Sequence, residues 1–361
     1  MRRNRGLWVG LLWLSSINLI GCSGSGSSGS HNAYVTLPQF NQVAVYAIDD
    51  KKGTLSKISN NPIFAGSSAT ATALHPSNKF LYVSNQAENT VSLFTVGSGA
   101  SLTEVMPRVA TGVSPSALQV DPSGTFLFVL NVLSNSVSAY TISGSTGALT
   151  EVAGSPFPTG LSPSQLVVAP SGNFLYITNQ NSNSISVYGI TSGTGVLTPI
   201  AGSPFVVPFA PSFLSFDPAG EFLYVTYASA NGFGLFNVNS TTGVPSAVSP
   251  VPYAAGTSPA GITVDPSGKF LFVANFGSST VSVYTVDATT GIPTAISGSP
   301  FTAGTDPLLV KVDPSGTFLF VVNQSSKNIS SYTINTTTGE LTAVTGSPFA
   351  TSGSISSMSI E

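Results

Sequence analysis

Apolar and polar positions along this chain recur in a short-strand pattern, not a helical one. Six times a run of aromatic and β-branched residues closes on a polar residue: Phe80-Leu-Tyr-Val-Ser-Asn85, Phe126-Leu-Phe-Val-Leu-Asn131, Phe174-Leu-Tyr-Ile-Thr-Asn179, Phe222-Leu-Tyr-Val-Thr-Tyr227, Phe270-Leu-Phe-Val-Ala-Asn275 and Phe318-Leu-Phe-Val-Val-Asn323. Runs of this composition and length predict strands. Each follows a turn sequence: Asp-Pro-Ser-Gly at Asp121, Asp265 and Asp313, Asp-Pro-Ala-Gly at Asp217, Ala-Pro-Ser-Gly at Ala169 and His-Pro-Ser-Asn at His75. The period is 48 residues, with one interval of 46. A second alternating run follows, as in Val137-Ser-Ala-Tyr-Thr-Ile142, then a Thr-Gly turn and a short strand ending near Gly-Ser-Pro-Phe. The run before the Asp, such as Ser116-Ala-Leu-Gln-Val120, completes the unit as its innermost strand.

Four short antiparallel strands per unit predict an all-β propeller. Its first unit begins in the middle, with Ala33-Tyr-Val-Thr36, and the last residues are Ser357-Met-Ser-Ile-Glu361, with Glu361 standing 48 residues after Asp313. The final residues are therefore expected to supply the inner strand that the first unit lacks. Six whole units and one composite unit make a seven-bladed β-propeller of four-stranded antiparallel blades over residues 33–361, closed by pairing the C-terminal strand with the N-terminal blade. A ring left open would expose unpaired strand edges.

The remaining N-terminal stretch reads differently. Arg2, Arg3 and Arg5 precede an apolar run that ends in Leu19-Ile20-Gly21-Cys22, which resembles a bacterial lipobox. Residues 1–21 are expected to be a lipoprotein signal peptide, and 22–32 a Gly/Ser tether from a lipidated Cys22, the only cysteine. This predicts an extracytoplasmic protein anchored to a bacterial membrane in the cell envelope. Only 7% of residues are charged and the formal charge is −3, which argues against nucleic acid as a partner. No metal-ligand set and no cofactor-binding motif is found in the sequence, and a monomer is expected.

The Asp-Pro turns, the Tyr/Phe-Val-x-Asn runs and the repeat length together resemble the seven-bladed lactonase-type propellers, the 6-phosphogluconolactonase-like family, and the related YVTN-repeat surface propellers. The resemblance covers residues 33–361 and implies lactone hydrolysis as one activity. A histidine commonly follows the proline that opens an inner strand in that family, but here those places read Pro115-Ser116, Pro163-Ser164, Pro211-Ser212, Pro259-Ala260 and Pro307-Leu308.

Strand direction assigns the loops to two faces. The Asp-Pro and Thr-Gly turns share one; the hairpins after each Asn and the connections into each inner strand share the other. That second face carries the expected ligand-binding residues: Ser116, Ser164 and Ser212 at the channel mouth, with Asn85, Asn131, Asn179, Asn275, Asn323, Gln86, Gln180, Gln324 and Tyr227 in the hairpins. The asparagines have a second reading, as residues that bond their own hairpin backbone. The aspartates of the Asp-Pro turns read as turn-makers. Asp306 and Lys311 break the repeat near the channel and are the candidate catalytic pair, base and electrostatic stabiliser. The sequence thus predicts a membrane-anchored binding or scaffold propeller for a neutral polar ligand, such as a glycan, or for a partner protein. Lactone hydrolysis is the alternative.

Overall fold

The computed structural model describes residues 30–58 and 62–361. Cys22 and the signal sequence lie outside the described residues. Seven antiparallel sheets follow one another along the chain. The first contains Ser30–Leu37, Gln42–Asp49 and Leu55–Lys57, and the C-terminal strand Met358–Ile360 pairs with Ser30–Leu37 in the register Ala33 with Ile360, Tyr34 with Ser359 and Val35 with Met358. The remaining blades span 69–110, 115–158, 163–206, 214–254, 259–302 and 307–350. The ring closes as the sequence predicts. The first strand begins at Ser30, inside the expected tether, because His31 pairs with Ile48 and Asn32 is clasped by Glu361.

In six blades the outer strand is broken into two pieces, both paired to the third strand. The Gly-Ser-Pro sequence makes the break in four of them, and its serine repairs the ladder: Ser155, Ser203, Ser299 and Ser347 accept the N–H of Ala139, Val187, Val283 and Ser331 at 2.9–3.1 Å. A strand N–H left unpaired in the interior would otherwise cost stability.

Blades stack on both faces, which explains the continuous apolar second strands. Phe126–Asn131 and Phe270–Asn275 are buried at every position. Each Phe that opens such a strand covers the glycine of the corresponding turn of the next blade, a Thr-Gly turn except for Lys52-Gly53 in the first blade. Phe80 covers Gly147, Phe126 covers Gly195, and Phe318 of the last blade covers Gly53 of the first. These glycines have φ near +70°, and a Cβ would collide with the ring. In the first blade Asn32 stands 48 residues before Phe80, in the place of this Phe. Gly99 accordingly faces open space, and a cavity of about 560 Å³ lined by Asn32, Ile58, Val96 and Glu361 opens there.

Candidate functional site

The inner strands surround a central cavity of about 540 Å³. Their side chains alternate. Positions two and four residues before the Asp of each turn, such as Gln119, Ser215, Thr263, Lys311 and Ser359, or Gln165 and Ser357, line the cavity with amides, hydroxyls and one amine. Lys311 is the only charged side chain in that lining. It is exposed to the channel yet enclosed by the ring of strands, and it forms no ion pair among the described residues. Burial lowers its pKa from the ordinary 10.5.

Hydrogen bonds orient the lining. Gln119 Oε1 accepts the N–H of Val168 at 3.0 Å and Gln165 Oε1 accepts the N–H of Leu166 at 3.0 Å. Neither NH₂ group has a hydrogen-bond partner among the described residues. The hydroxyls of Ser215 and Thr263 donate to the carbonyls of Phe216 and Val264 at 3.2 and 3.4 Å. Gly261 sets the wall between the sixth and seventh blades: a Cβ there would lie 2.7 Å from the Leu308 carbonyl oxygen.

The residues expected on the hairpin face divide into three groups. Ser116 and Ser164 line the cavity, whereas Ser212 is buried and holds Thr226 at 2.9 Å. Ser164 bonds the Ser212 carbonyl at 3.0 Å, and the Ser116 Oγ is buried without a partner among the described residues. Gln86 and Gln324 are half-buried and Gln180 exposed, outside the cavity lining. Asn85, Asn131, Asn179, Asn275 and Asn323 are all 0% exposed. Asn85 Nδ2 donates to Thr90 and Ser92 at 3.0 and 2.9 Å, while its Oδ1 accepts the N–H of Gly66 at 2.9 Å. The same clamp joins Asn275 to Gly256 and Asn323 to Gly304. These three knit the hairpin to the loop entering the inner strand, whereas Asn131 and Asn179 bond only the serines of their own hairpins and their Oδ1 atoms have no partner among the described residues; none of the five presents a surface.

Tyr227 replaces the asparagine in the fifth blade and is 1% exposed, its ring 5.8 Å from that of Phe209. Gly232 and Gly234 stand where other blades place hydroxyl partners, and Pro208 stands where they place the glycine N–H. The whole clamp changes together. Asp306 is not part of the cavity. Its φ of +55° turns it away from the strand, and its carboxylate accepts a hydrogen bond from the Ser325 hydroxyl. The expected pairing of Asp306 with Lys311 is therefore absent.

A profile of the family described as lactonase, 7-bladed beta-propeller, matches residues 27–162, 153–255 and 245–355. The chain belongs to this lactonase propeller family. Solved structures show the same fold. A Bacteroides fragilis protein named as a candidate 6-phosphogluconolactonase has a TM-score of 0.81 at 18% identity, covering 93% of this chain and 99% of that one. A Lactobacillus plantarum protein has a TM-score of 0.80 at 20% identity, covering 92% and 100%. The periplasmic gluconolactonase of Pseudomonas aeruginosa has a TM-score of 0.76 at 19% identity, covering 92% and 99%. No relative is found among the curated proteins.

Within this lactonase propeller the Asp-Pro turns are structural. Asp121 Oδ1 accepts the N–H groups of Thr125 and Phe126 at 2.7 and 2.6 Å, and Asp265 and Asp313 hold Phe270 and Phe318 in the same way. His75 bridges two blades: its Nδ1 accepts the Ser77 N–H at 3.0 Å, so Nε2–H donates to the Gly124 carbonyl at 2.9 Å. Arg108 lies outside the cavity, paired with Glu104 at 2.7 Å and Glu88 at 2.8 Å. Gln165 is the lining residue that sequence reasoning missed. Its position four residues before Ala169, on the same strand face as Val167, is the signal that would have found it.

Proposed function

We propose that this lactonase propeller is a binding module that takes a small polar ligand into its central channel. It is held outside the cytoplasm on a bacterial membrane by lipid on Cys22. One observation carries the reading: the cavity lining offers hydroxyls, amides and one amine, with no carboxylate or imidazole among the described residues. Groups of this kind bind and orient a ligand. Opening a lactone requires a base to activate water, and Asp306, the carboxylate expected in that role, bonds Ser325 instead. A shared propeller scaffold does not by itself fix the ligand, which is chosen by the residues of the site.

The second reading is lactone hydrolysis with the Lys311 amine as base, supported by the family and by the lowered pKa of that amine. The two are separated by assaying the full chain against a panel of sugar lactones while following binding of the same compounds by calorimetry. Binding without turnover supports the proposal. Turnover that disappears in Lys311→Met would replace it with the hydrolase reading, and Lys311→Arg, which keeps the charge but stays protonated and so cannot act as a general base, separates base from binding group.

A further inference from the structure

We infer that the channel ligand is a monocarboxylate, its carboxyl group seated on Lys311 and its remaining oxygens facing the NH₂ groups of Gln119 and Gln165. This deepens the proposal that the channel binds a polar ligand, and it rests on that reading.

The argument lies in which polar groups are already used. Backbone N–H groups each take one lone pair of Oε1 of Gln119 and of Gln165, which leaves the NH₂ group of each amide as its wholly unused end. No hydrogen bond to a described residue uses either NH₂, and none uses the Lys311 amine. The Ser116 Oγ is unpartnered too, but it is buried and closed off from the lumen, so it does not count among these donors. Some hydroxyls of the lining are fully engaged, as Ser359 is with the Thr72 hydroxyl and carbonyl, both at 2.9 Å, whereas Ser215 and Thr263 donate to backbone carbonyls and keep their oxygens as acceptors. The unused donors of the lining are thus two amide NH₂ groups and a single cation. Its complement is a molecule rich in acceptors and bearing negative charge.

Charge count selects the class of anion. One ammonium, in a wall with no second cation, neutralises one negative charge; a phosphate dianion would leave one charge unbalanced in a confined site. Thr263 stands two residues before its turn aspartate, as Lys311 does, on the adjoining inner strand that Gly261 lets approach closely. With its proton committed to Val264, the Thr263 oxygen is free to accept from a ligand hydroxyl. A hydroxylated monocarboxylate therefore fits better than a bare fatty acid. Lys311 gains from the match, because an anion beside it favours its charged form.

The test follows Lys311 itself. Full-length chain carrying ¹³Cε-lysine contains seven lysines, and Lys311→Gln assigns the resonance. Titration with quinate, a hydroxylated monocarboxylate, is expected to move that resonance and raise its apparent pKa. Lys311→Met should weaken quinate binding about 10- to 100-fold, the range for one charge-assisted hydrogen bond. Gln165→Leu is expected to weaken binding while leaving Lys311 and the fold in place. Equal binding of neutral myo-inositol, undiminished in Lys311→Met, would overturn the anion assignment yet leave the channel reading intact. A stronger response to inorganic phosphate than to quinate would overturn the choice of carboxylate. No response to any of the three, up to about 100 mM, would overturn the inference, and calorimetry with lactones would then decide the broader reading.

Discussion

Glu361 accepts hydrogen bonds from both the backbone N–H and the side-chain amide of Asn32, at 3.0 and 2.6 Å, across 329 residues of sequence. Its other oxygen accepts from the Tyr34 hydroxyl at 3.1 Å, and its own N–H returns to the Asn32 carbonyl at 3.0 Å. The last residue thereby takes the place that an aspartate holds in other blades, binding the ends of the chain instead of a local turn.

Removing this clasp should loosen the ring. Glu361→Ala is expected to cost about 1–3 kcal/mol, the range for buried polar groups deprived of a charged partner. Deleting residues 354–361 removes fully buried Ile355 and nearly buried Met358 as well, and should lower the melting temperature by more than ten degrees or abolish cooperative unfolding. Thermal melts of the two variants against the parent check both outcomes. An unchanged melting temperature after the deletion would contradict the seam described above.

The asparagine clamp should behave as a coupled unit. A Cβ on Gly66 would lie 2.4 Å from Asn85 Cγ, so Gly66→Ala and Asn85→Ala are each expected to destabilise, by about 1–3 kcal/mol. The double variant should cost clearly less than the sum, because removing the amide makes room for the methyl. Denaturant unfolding of the four proteins measures the coupling; simple additivity would show that the contact carries no energy.

In the fifth blade the prediction reverses. The Tyr227 hydroxyl is buried with no hydrogen-bond partner among the described residues. Tyr227→Phe should therefore be neutral or stabilising by up to about 1 kcal/mol. Tyr227→Asn, which restores the residue of the repeat, should destabilise by about 2 kcal/mol or more, since Pro208, Gly232 and Gly234 offer the amide neither donor nor hydroxyl. Finding the asparagine variant as stable as the parent would mean that the local partners do not matter.

Lys311 should make stability depend on pH. Its folded pKa lies below the ordinary 10.5 because of burial. Between the lowered value and 10.5 the unfolded chain holds a proton that the folded chain has released, so stability rises with pH across that window. Below the window the penalty of enclosing the ammonium is complete. Lys311→Met is therefore expected to be more stable than the parent near neutrality, with the difference shrinking as pH climbs toward 10.5. Denaturant midpoints of both proteins from pH 6 to about 10.5 test this; a constant difference would indicate packing, not titration.

Local chemistry made most of the architecture legible. Asp121 bonds residues two to five positions away, so the turn it makes is visible in the sequence around it. The seam could be read too, since Glu361 keeps the spacing of the repeat. The candidate site was harder, because its deciding partners come from other strands or other blades. An asparagine after a strand looks the same whether it faces a ligand or, like Asn85, sits between Gly66 and Ser92. The donor side of Gln119 depends on the N–H of Val168 in the next blade. Asp306 and Lys311 are five residues apart, but a left-handed φ at Asp306 separates them in a way that charge and spacing alone do not reveal.

The strand Ser30–Leu37 lies between Gln42–Asp49 and Met358–Ile360, antiparallel to both. A pull on Ser30 along the strand axis loads the hydrogen bonds of both edges in shear, so they share the force instead of parting one at a time. The rupture force of this blade for a pull along the strand axis should therefore exceed that for a pull directed across the same strands.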